Sequence, residues 1–364
     1  MKGSNSVAKL LRISVIGVGD VAYRDYVPHM KRLAEVGQID LLIARNPDRL
    51  AKAAADFRVP RVASDWRAAL GPEIDVALNL TPAPMHGEIN LGLARAGRHF
   101  YTEKPFANSV EQGAAVIRAA KESGAVIAAA PSVMVYPQIL AAASLLGRGL
   151  IGKVHSVRAT ATTSPPPWQG YHSDHGPFFS AEVGPMSDMG VYPLHAITGL
   201  LGDAVEVAAF SNRTRDAFLV TEGPFAGQSV PVDVDDNWQM LLRLAGGILA
   251  SVQVAYCIDQ AASCHLEISG EGGTITLGIL DPTAPLRVHS NSHGDWEEPV
   301  VHARNDGPDH VLGVADLLDS IRTGRDPVIG ARHALHVMAI RAAAETATAT
   351  GRSVPVQDIT RLGV

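Results

Sequence analysis

The run Gly17-Val18-Gly19-Asp20-Val21-Ala22 continues the short apolar segment 12–16 without a break. It fits the pattern G-x-G-x-x-G/A, which works in one setting. A strand must turn tightly, let its backbone close on a pyrophosphate, and open a helix whose N-terminus faces the phosphates. A plain strand-to-helix turn would also use glycine, so the motif takes its weight from the downstream pattern. Strand-like runs recur at 40–44, 76–80, 99–103 and 125–130, separated by alanine-rich amphipathic stretches at 47–57, 85–96 and 109–123. Asn108 or Ser109 is placed to cap the last of these, with Gln112 completing the cap. Strands alternating with helices of this length predict βαβ units and a doubly wound parallel sheet over residues 1–130. Gly17, Gly19, Asp20 and Val21 are then the residues expected against the dinucleotide phosphates.

The pattern changes after about residue 135. An alternating run at 154–163 leads to a Pro-rich, aromatic loop at 164–179 and a helix-like segment at 185–201. Strand-like runs then come in series, at 205–212, 236–244, 248–256, 265–269 and 274–277, before two helices at 309–323 and 332–350. Runs of strands with little helix between them predict an α+β domain over 131–364, built on an open, mostly antiparallel sheet. The total of 364 residues suits two domains, and 46% hydrophobic with 19% charged residues is an ordinary globular composition.

A net charge of −6 argues against nucleic acid or an anionic membrane as the main partner. No stretch reaches the ~18–20 uninterrupted apolar residues of a membrane helix. Residues 10–16 read as a first strand and not as a secretory segment. Cys257 and Cys264 form neither a metal knuckle nor a disulfide framework and are expected to be reduced thiols. A cytoplasmic protein is the expectation.

The second strand-like run ends Ala44-Arg45-Asn46, where an NAD-binding chain normally carries an acidic residue for the ribose 2′-hydroxyl. Asp40 lies too early. A small residue next to Arg45, with Arg49 nearby, suits the 2′-phosphate of NADP, so NADP is favoured with NAD as the alternative. At the fourth run, Pro105 keeps Lys104 extended at the strand's carboxyl end, where open α/β sheets bind ligands. Such a lysine can hydrogen-bond a substrate oxygen and stabilise developing negative charge.

In the second half, Asp188, Tyr192 and His195 are spaced i, i+4, i+7, which on a helix gives one polar stripe among apolar neighbours. That stripe costs desolvation unless it faces a cleft or its members pair. The preceding loop holds Trp168, Tyr171, His172, Asp174 and His175, a mix that suits polyhydroxylated ligands. Trp168, His172 and His195 are candidate substrate contacts. No metal site is expected, because no partner cluster accompanies these histidines.

The chain resembles the glucose–fructose oxidoreductase / inositol dehydrogenase / rhizopine-catabolism (Gfo/Idh/MocA) family. The matching residues are Gly17-x-Gly19, Thr81-Pro82…His86, Ala96-Gly97-Arg98-His99…Glu103-Lys104-Pro105, Gly147-x-Gly149…Ile151-Gly152-Lys153-Val154, Asp188-Met189-Gly190-Val191-Tyr192 and Ala334-Leu335-His336. The resemblance implies a Rossmann domain carrying NAD(P) and hydride transfer between the nicotinamide C4 and a carbon of a sugar, cyclitol or sugar derivative. It implies a homodimer or homotetramer associating through the second sheet. Lys104 matches the family's catalytic lysine, Asp188 its motif aspartate and Tyr192 its acid/base position. Thr81, Pro82, His86 and Glu103 match residues beside the nicotinamide. The segments 181–185 and 131–134 depart from the family pattern, which points to an unusual substrate. Two alternatives share the fold: a glycoside hydrolase using bound NAD for transient oxidation, and a non-catalytic nicotinamide sensor. Free tyrosine has a pKa of ~10, so Tyr192 serves more easily as acid than as base, which favours carbonyl reduction.

Overall fold

The computed structural model describes residues 10–166, 173–181, 183–258, 263–280, 285–292, 294–301 and 309–364. The first sheet has six strands: β1 (Leu11–Ile16), β2 (Gly37–Ile43), β3 (Arg61–Ala63), β4 (Val76–Asn79), β5 (His99–Thr102) and β6 (Ile127–Ala129). They run in the order β3-β2-β1-β4-β5-β6, every pair parallel. This is the doubly wound Rossmann sheet expected from the alternation. All of β4 and Ile13–Ile16 of β1 are buried, because helices cover both faces of a parallel sheet. The helices are α1 (Pro47–Phe57), α2 (His86–Arg95) and α3 (Val110–Ser123). Ser109 caps α3 by accepting the Gln112 amide at 3.1 Å, and the Gln112 side chain accepts the Asn108 amide at 3.0 Å. The short edge strand β3 lies outside the expected set.

The segment after the glycine turn is helical but not a regular α-helix. Ala22–Tyr26 forms a π-type turn and Val27–Leu33 winds as a 3-10 helix. Pro28 lacks the amide proton an α-helix would use there.

The second half contributes α4 (Pro137–Gly147), a helix that the sequence pattern does not announce, then β7 (Val154–Thr162) and α5 (Val191–Leu201). The expected helix over 185–201 is interrupted: Met186–Gly190 is a π-type turn leading into α5. The remaining strands are β8 (Ala204–Asn212), β9 (Ala217–Leu219), β10 (Ser229–Pro231), β11 (Asn237–Leu244), β12 (Leu249–Ala255), β13 (Ser263–Gly270), β14 (Gly273–Gly278), β15 (Arg287–Ser290), β16 (Trp296–Glu297) and β17 (Val354–Pro355). With β7, all of these but β9 and β10 form one nine-stranded sheet in the order β16-β15-β14-β13-β7-β12-β11-β8-β17, while β9 and β10 pair separately. In that sheet β7 and β12 pair in parallel and the other neighbours are antiparallel.

Helices α4, α5 and α7 (Ala331–Thr350) pack on one face of this sheet. On the other face Phe210 is 78% exposed and Leu241 63% exposed. Helix α6 (Val311–Thr323) returns to the first sheet and packs on β5 and β6. The Ala129 amide donates to the Ile329 carbonyl at 2.9 Å. The C-terminal part of the chain therefore braces the joint between the two sheets.

Candidate active site

Gly17 leaves β1 at φ +96°, a conformation that L side chains rarely adopt. A Cβ there would lie 2.5 Å from the Leu80 carbonyl oxygen behind β4, so only glycine fits. At Gly19 a Cβ would meet nothing within 4 Å. The turn is thus closed against β4 on one side and open on the other, as a backbone that must approach a pyrophosphate requires. Asp20 and Val21, both half-buried, begin the helical segment. The end of β2 puts half-buried Ala44 beside exposed Arg45 and, across the Asn46 cap of α1, exposed Arg49. Among the described residues neither guanidinium has a carboxylate partner. Asp40 is engaged by Arg61. The glycine turn fits a bound dinucleotide, and Arg45 and Arg49 lie at the end of β2.

The ends of β4 and β5 form the next wall. Thr81 donates its hydroxyl to Asn79 at 2.7 Å, and Pro82 is exposed at the rim. His86 is buried, with Nδ1 on the Pro105 carbonyl and Nε2 on the Thr81 carbonyl, both at 2.7 Å. Its ring stitches the two loops together. Glu103 is buried between Tyr26, whose hydroxyl donates to Oε1, and the Lys104 amide, which donates to Oε2 at 3.0 Å. Tyr26 ends the π-type turn after Gly19, so the glycine turn and the Lys104 segment share one buried carboxylate. Nothing in the local sequence signals this pair, which joins positions 77 apart.

Lys104 crosses to the second half of the chain. Its ammonium donates to the Asp188 carboxylate Oδ1 and, at 3.1 Å, to the Asp188 backbone oxygen. It also lies 5.9 Å from the centroid of the Tyr192 ring. Burial works to lower the lysine's pKa, but Asp188 and Glu103 outweigh it and hold the pKa above the usual lysine value. The ammonium is therefore held in its charged form. Burial, with the charges of Glu103 and Asp188, pushes Tyr192 well above the ordinary phenol value, so its hydroxyl stays protonated. That hydroxyl makes no hydrogen bond to any described residue.

The other oxygen of Asp188, Oδ2, accepts from the Tyr256 hydroxyl at 2.7 Å. Tyr256 is a site residue that no motif marks. The one available hint is a tyrosine closing the strand-like run at 248–256. His195 lines the same cavity as Lys104, but among the described residues no hydrogen bond or ring contact ties it to Lys104, Asp188 or Tyr192. The π-type turn at Met186–Gly190 changes the phase of the stripe, so seven residues no longer return to the same face. The His195 ring packs at a tilt against His333, ring centroids 4.7 Å apart, with Nδ1 on the Val191 carbonyl at 2.7 Å. Trp168 and His172 lie outside the described residues. Among the described residues no three His, Cys, Asp or Glu side chains group as a metal site.

Residues 11–130 match the oxidoreductase family with an NAD-binding Rossmann fold, and residues 139–276 match the Gfo/Idh/MocA C-terminal domain. The chain belongs to the Gfo/Idh/MocA family of oxidoreductases. Among curated members of this family, levoglucosan dehydrogenase of Pseudarthrobacter phenanthrenivorans is 30% identical over 223 residues. That match spans 57% of this chain and only 56% of that protein. The dTDP-3,4-didehydro-2,6-dideoxy-alpha-D-glucose 3-reductase of Actinomadura kijaniata is 26% identical over 87% of this chain and 96% of its own length. A solved levoglucosan dehydrogenase in complex with NADH and L-sorbose superposes with a TM-score of 0.85 at 22% identity, covering 96% of this chain and all of that one. As a Gfo/Idh/MocA protein the chain is an enzyme, an oxidoreductase with a dinucleotide-binding Rossmann domain.

Proposed function

We propose that this enzyme is an NAD(P)-dependent dehydrogenase or reductase acting on a carbinol or carbonyl carbon of a sugar, cyclitol or sugar derivative. The reading rests on the meeting of Lys104, Asp188 and Tyr192 at the carboxyl end of β5, beside the glycine turn. Gly17, Gly19, Asp20 and Val21 would hold the dinucleotide, with Thr81, Pro82, His86 and Glu103 shaping its nicotinamide end, and the bound group would supply or accept the hydride. Lys104 has three N–H groups and spends two on Asp188, which leaves one for a substrate oxygen. A fixed ammonium there stabilises the alkoxide-like oxygen that develops as a carbonyl is reduced. Tyr192, protonated and without a described partner, donates its proton to that oxygen. This assignment favours reduction, since in the oxidation direction Tyr192 would first have to lose a tightly held proton.

The substrate class is supported by the relatives: a levoglucosan dehydrogenase, a sugar-nucleotide 3-reductase and a D-xylose dehydrogenase. NADP over NAD is supported by the unpaired Arg45 and Arg49 and by Ala44 in place of an acid. Phe210, Leu241 and Leu249, exposed together on β8, β11 and β12, support a homodimer or homotetramer through the second sheet. Among the described residues no helix is long and apolar enough to cross a membrane; a cytoplasmic setting is part of this proposal.

The first test is a titration with NADPH and with NADH, read by quenching of tryptophan fluorescence. A screen of levoglucosan, D-xylose and 1,5-anhydro-D-fructose for change in nicotinamide absorbance comes next. Tighter NADPH binding with turnover of a sugar supports the reading. Tighter NADH binding removes the 2′-phosphate argument, and binding of neither by protein free of endogenous nucleotide removes the reading itself.

A further inference from the structure

We propose that Tyr256 is a positioning residue of this active site, holding Asp188 in the one orientation that fixes Lys104. The inference rests on the functional reading above and deepens it. Asp188 sits on the π-type turn Met186–Gly190, where the regular helix that would fix a side chain's direction has not yet begun. It is also buried, 5% exposed, and a buried carboxylate is costly unless each oxygen is engaged. Oδ1 is engaged by Lys104 and Oδ2 by Tyr256, so each oxygen of the buried carboxylate has its donor.

Tyr256 is itself fixed from the sheet. It comes directly after β12, its amide donates to the Asp236 carbonyl at 2.8 Å, and its ring meets Phe179 edge-on at 6.4 Å between centroids. At 1% exposed it contacts no bulk solvent. The result is a chain of three side chains from the second sheet to the Rossmann strand end: Tyr256, Asp188, Lys104. Removing the phenol oxygen would free the carboxylate to turn, and the ammonium would lose its register beside Tyr192.

The test uses the intact enzyme with Tyr256→Phe, Asp188→Asn and the double variant. Tyr256→Phe keeps the ring packing and removes the donor. Two readouts are taken. The first is the rate at which acetic anhydride labels Lys104, measured peptide by peptide against pH. Labelling is expected to begin at lower pH in Tyr256→Phe than in the parent, and Tyr256→Phe is expected to add nothing in the Asp188→Asn background. The second is turnover of whichever sugar the screen identifies. Here kcat is expected to fall about ten- to a hundredfold, the usual range for one hydrogen bond to a charged group, with NADPH affinity unchanged. Unchanged labelling in Tyr256→Phe, or an equal further effect in the Asp188→Asn background, overturns the proposal. If no sugar is turned over, the functional reading fails, while the labelling profile still decides the role of Tyr256.

Discussion

Lys104 and Asp188 stand 84 residues apart and meet where the Rossmann sheet adjoins the second sheet, the lysine ammonium donating to both the side chain and the backbone oxygen of the aspartate. A lysine tied this way is charged, immobile and aimed, which is what stabilising an oxyanion requires. The same contact closes the site around Tyr192. Lys104→Met should therefore lower kcat by about a hundred- to a thousandfold, as for loss of one oxyanion donor. Dinucleotide affinity, set by the glycine turn, should change little. Steady-state kinetics beside fluorescence titration separates the two. Unimpaired kcat would remove Lys104 from the chemistry.

Tyr192 gives a pH prediction of definite sign. Burial and two neighbouring carboxylates raise its pKa well above the phenol value, and Lys104 is raised above its own ordinary value. Both groups stay protonated until the pH passes those of free side chains, ~10 or higher. The reductive rate should thus show no alkaline limb below about pH 10, whereas an unshifted phenol beside an unpaired lysine would begin one earlier. Tyr192→Phe should cost about a hundred- to ten-thousandfold in kcat, the range of general acid catalysis. A pH–rate profile of carbonyl reduction, parent against variant, checks both.

Arg45 and Arg49 are exposed at the end of β2, and neither has a carboxylate partner among the described residues. Charge-assisted bonds from guanidinium to phosphate are about twice as strong as neutral ones. Arg45→Ala with Arg49→Ala should weaken NADPH binding by about tenfold or more and leave NADH binding nearly as it was. Equal losses for both nucleotides would assign the arginines a general electrostatic role.

How much of this could be read in the chain depends on the range of the interaction. Gly17 announces itself through the glycine motif that its φ and the Leu80 carbonyl enforce, and α1 through the alanine-rich amphipathic stretch 47–57. Both are fixed within a few residues or by a motif. Tyr26 on Glu103 and Tyr256 on Asp188 are pairs brought together only by topology, 77 and 68 residues apart, and no spacing rule reaches them. The changed phase of His195 relative to Asp188 has a third origin. Counting i, i+4, i+7 assumes one helical period, and the π-type turn through Asp188 breaks that period before α5 begins. The edge strands β3, β16 and β17 stayed hidden because each is only two or three residues long, too short for an alternation to show.

The outer face of the second sheet should carry self-association. Phe210 on β8 pairs with Gln239 on β11, two residues from Leu241, so the two large exposed side chains sit diagonally on one face. Phe210→Glu with Leu241→Lys should lower the mass seen by light scattering to that of one chain, with the fold retained by circular dichroism. A monomeric parent would remove this surface as an interface.

The last prediction concerns acid. His195, His333 and His336 gather between α5 and α7, with Asp203 and Arg332 beside them. Thr198 donates its hydroxyl to the Leu194 carbonyl at 2.6 Å, so it accepts from His333 Nε2 at 2.8 Å. His336 Nε2 accepts the Ala204 amide at 3.0 Å, so that nitrogen carries no proton. Burial is the first cause lowering all three histidines; it brings His333 to about 4 and His195 well below the usual value. Asp203 opposes the shift in His333 and His336, and Arg332 adds to it. The unfolded chain, with ordinary histidines at about 6.5, binds more protons than the folded one between about pH 6.5 and 4. Stability is then fully present above about pH 6.5 and falls as the pH drops through that window. The melting temperature should decline across it, and His333→Gln, which keeps a donor for Thr198, should flatten the decline. A parent whose melting temperature holds level from about pH 7 to about pH 4 would show that the cluster takes up protons without strain.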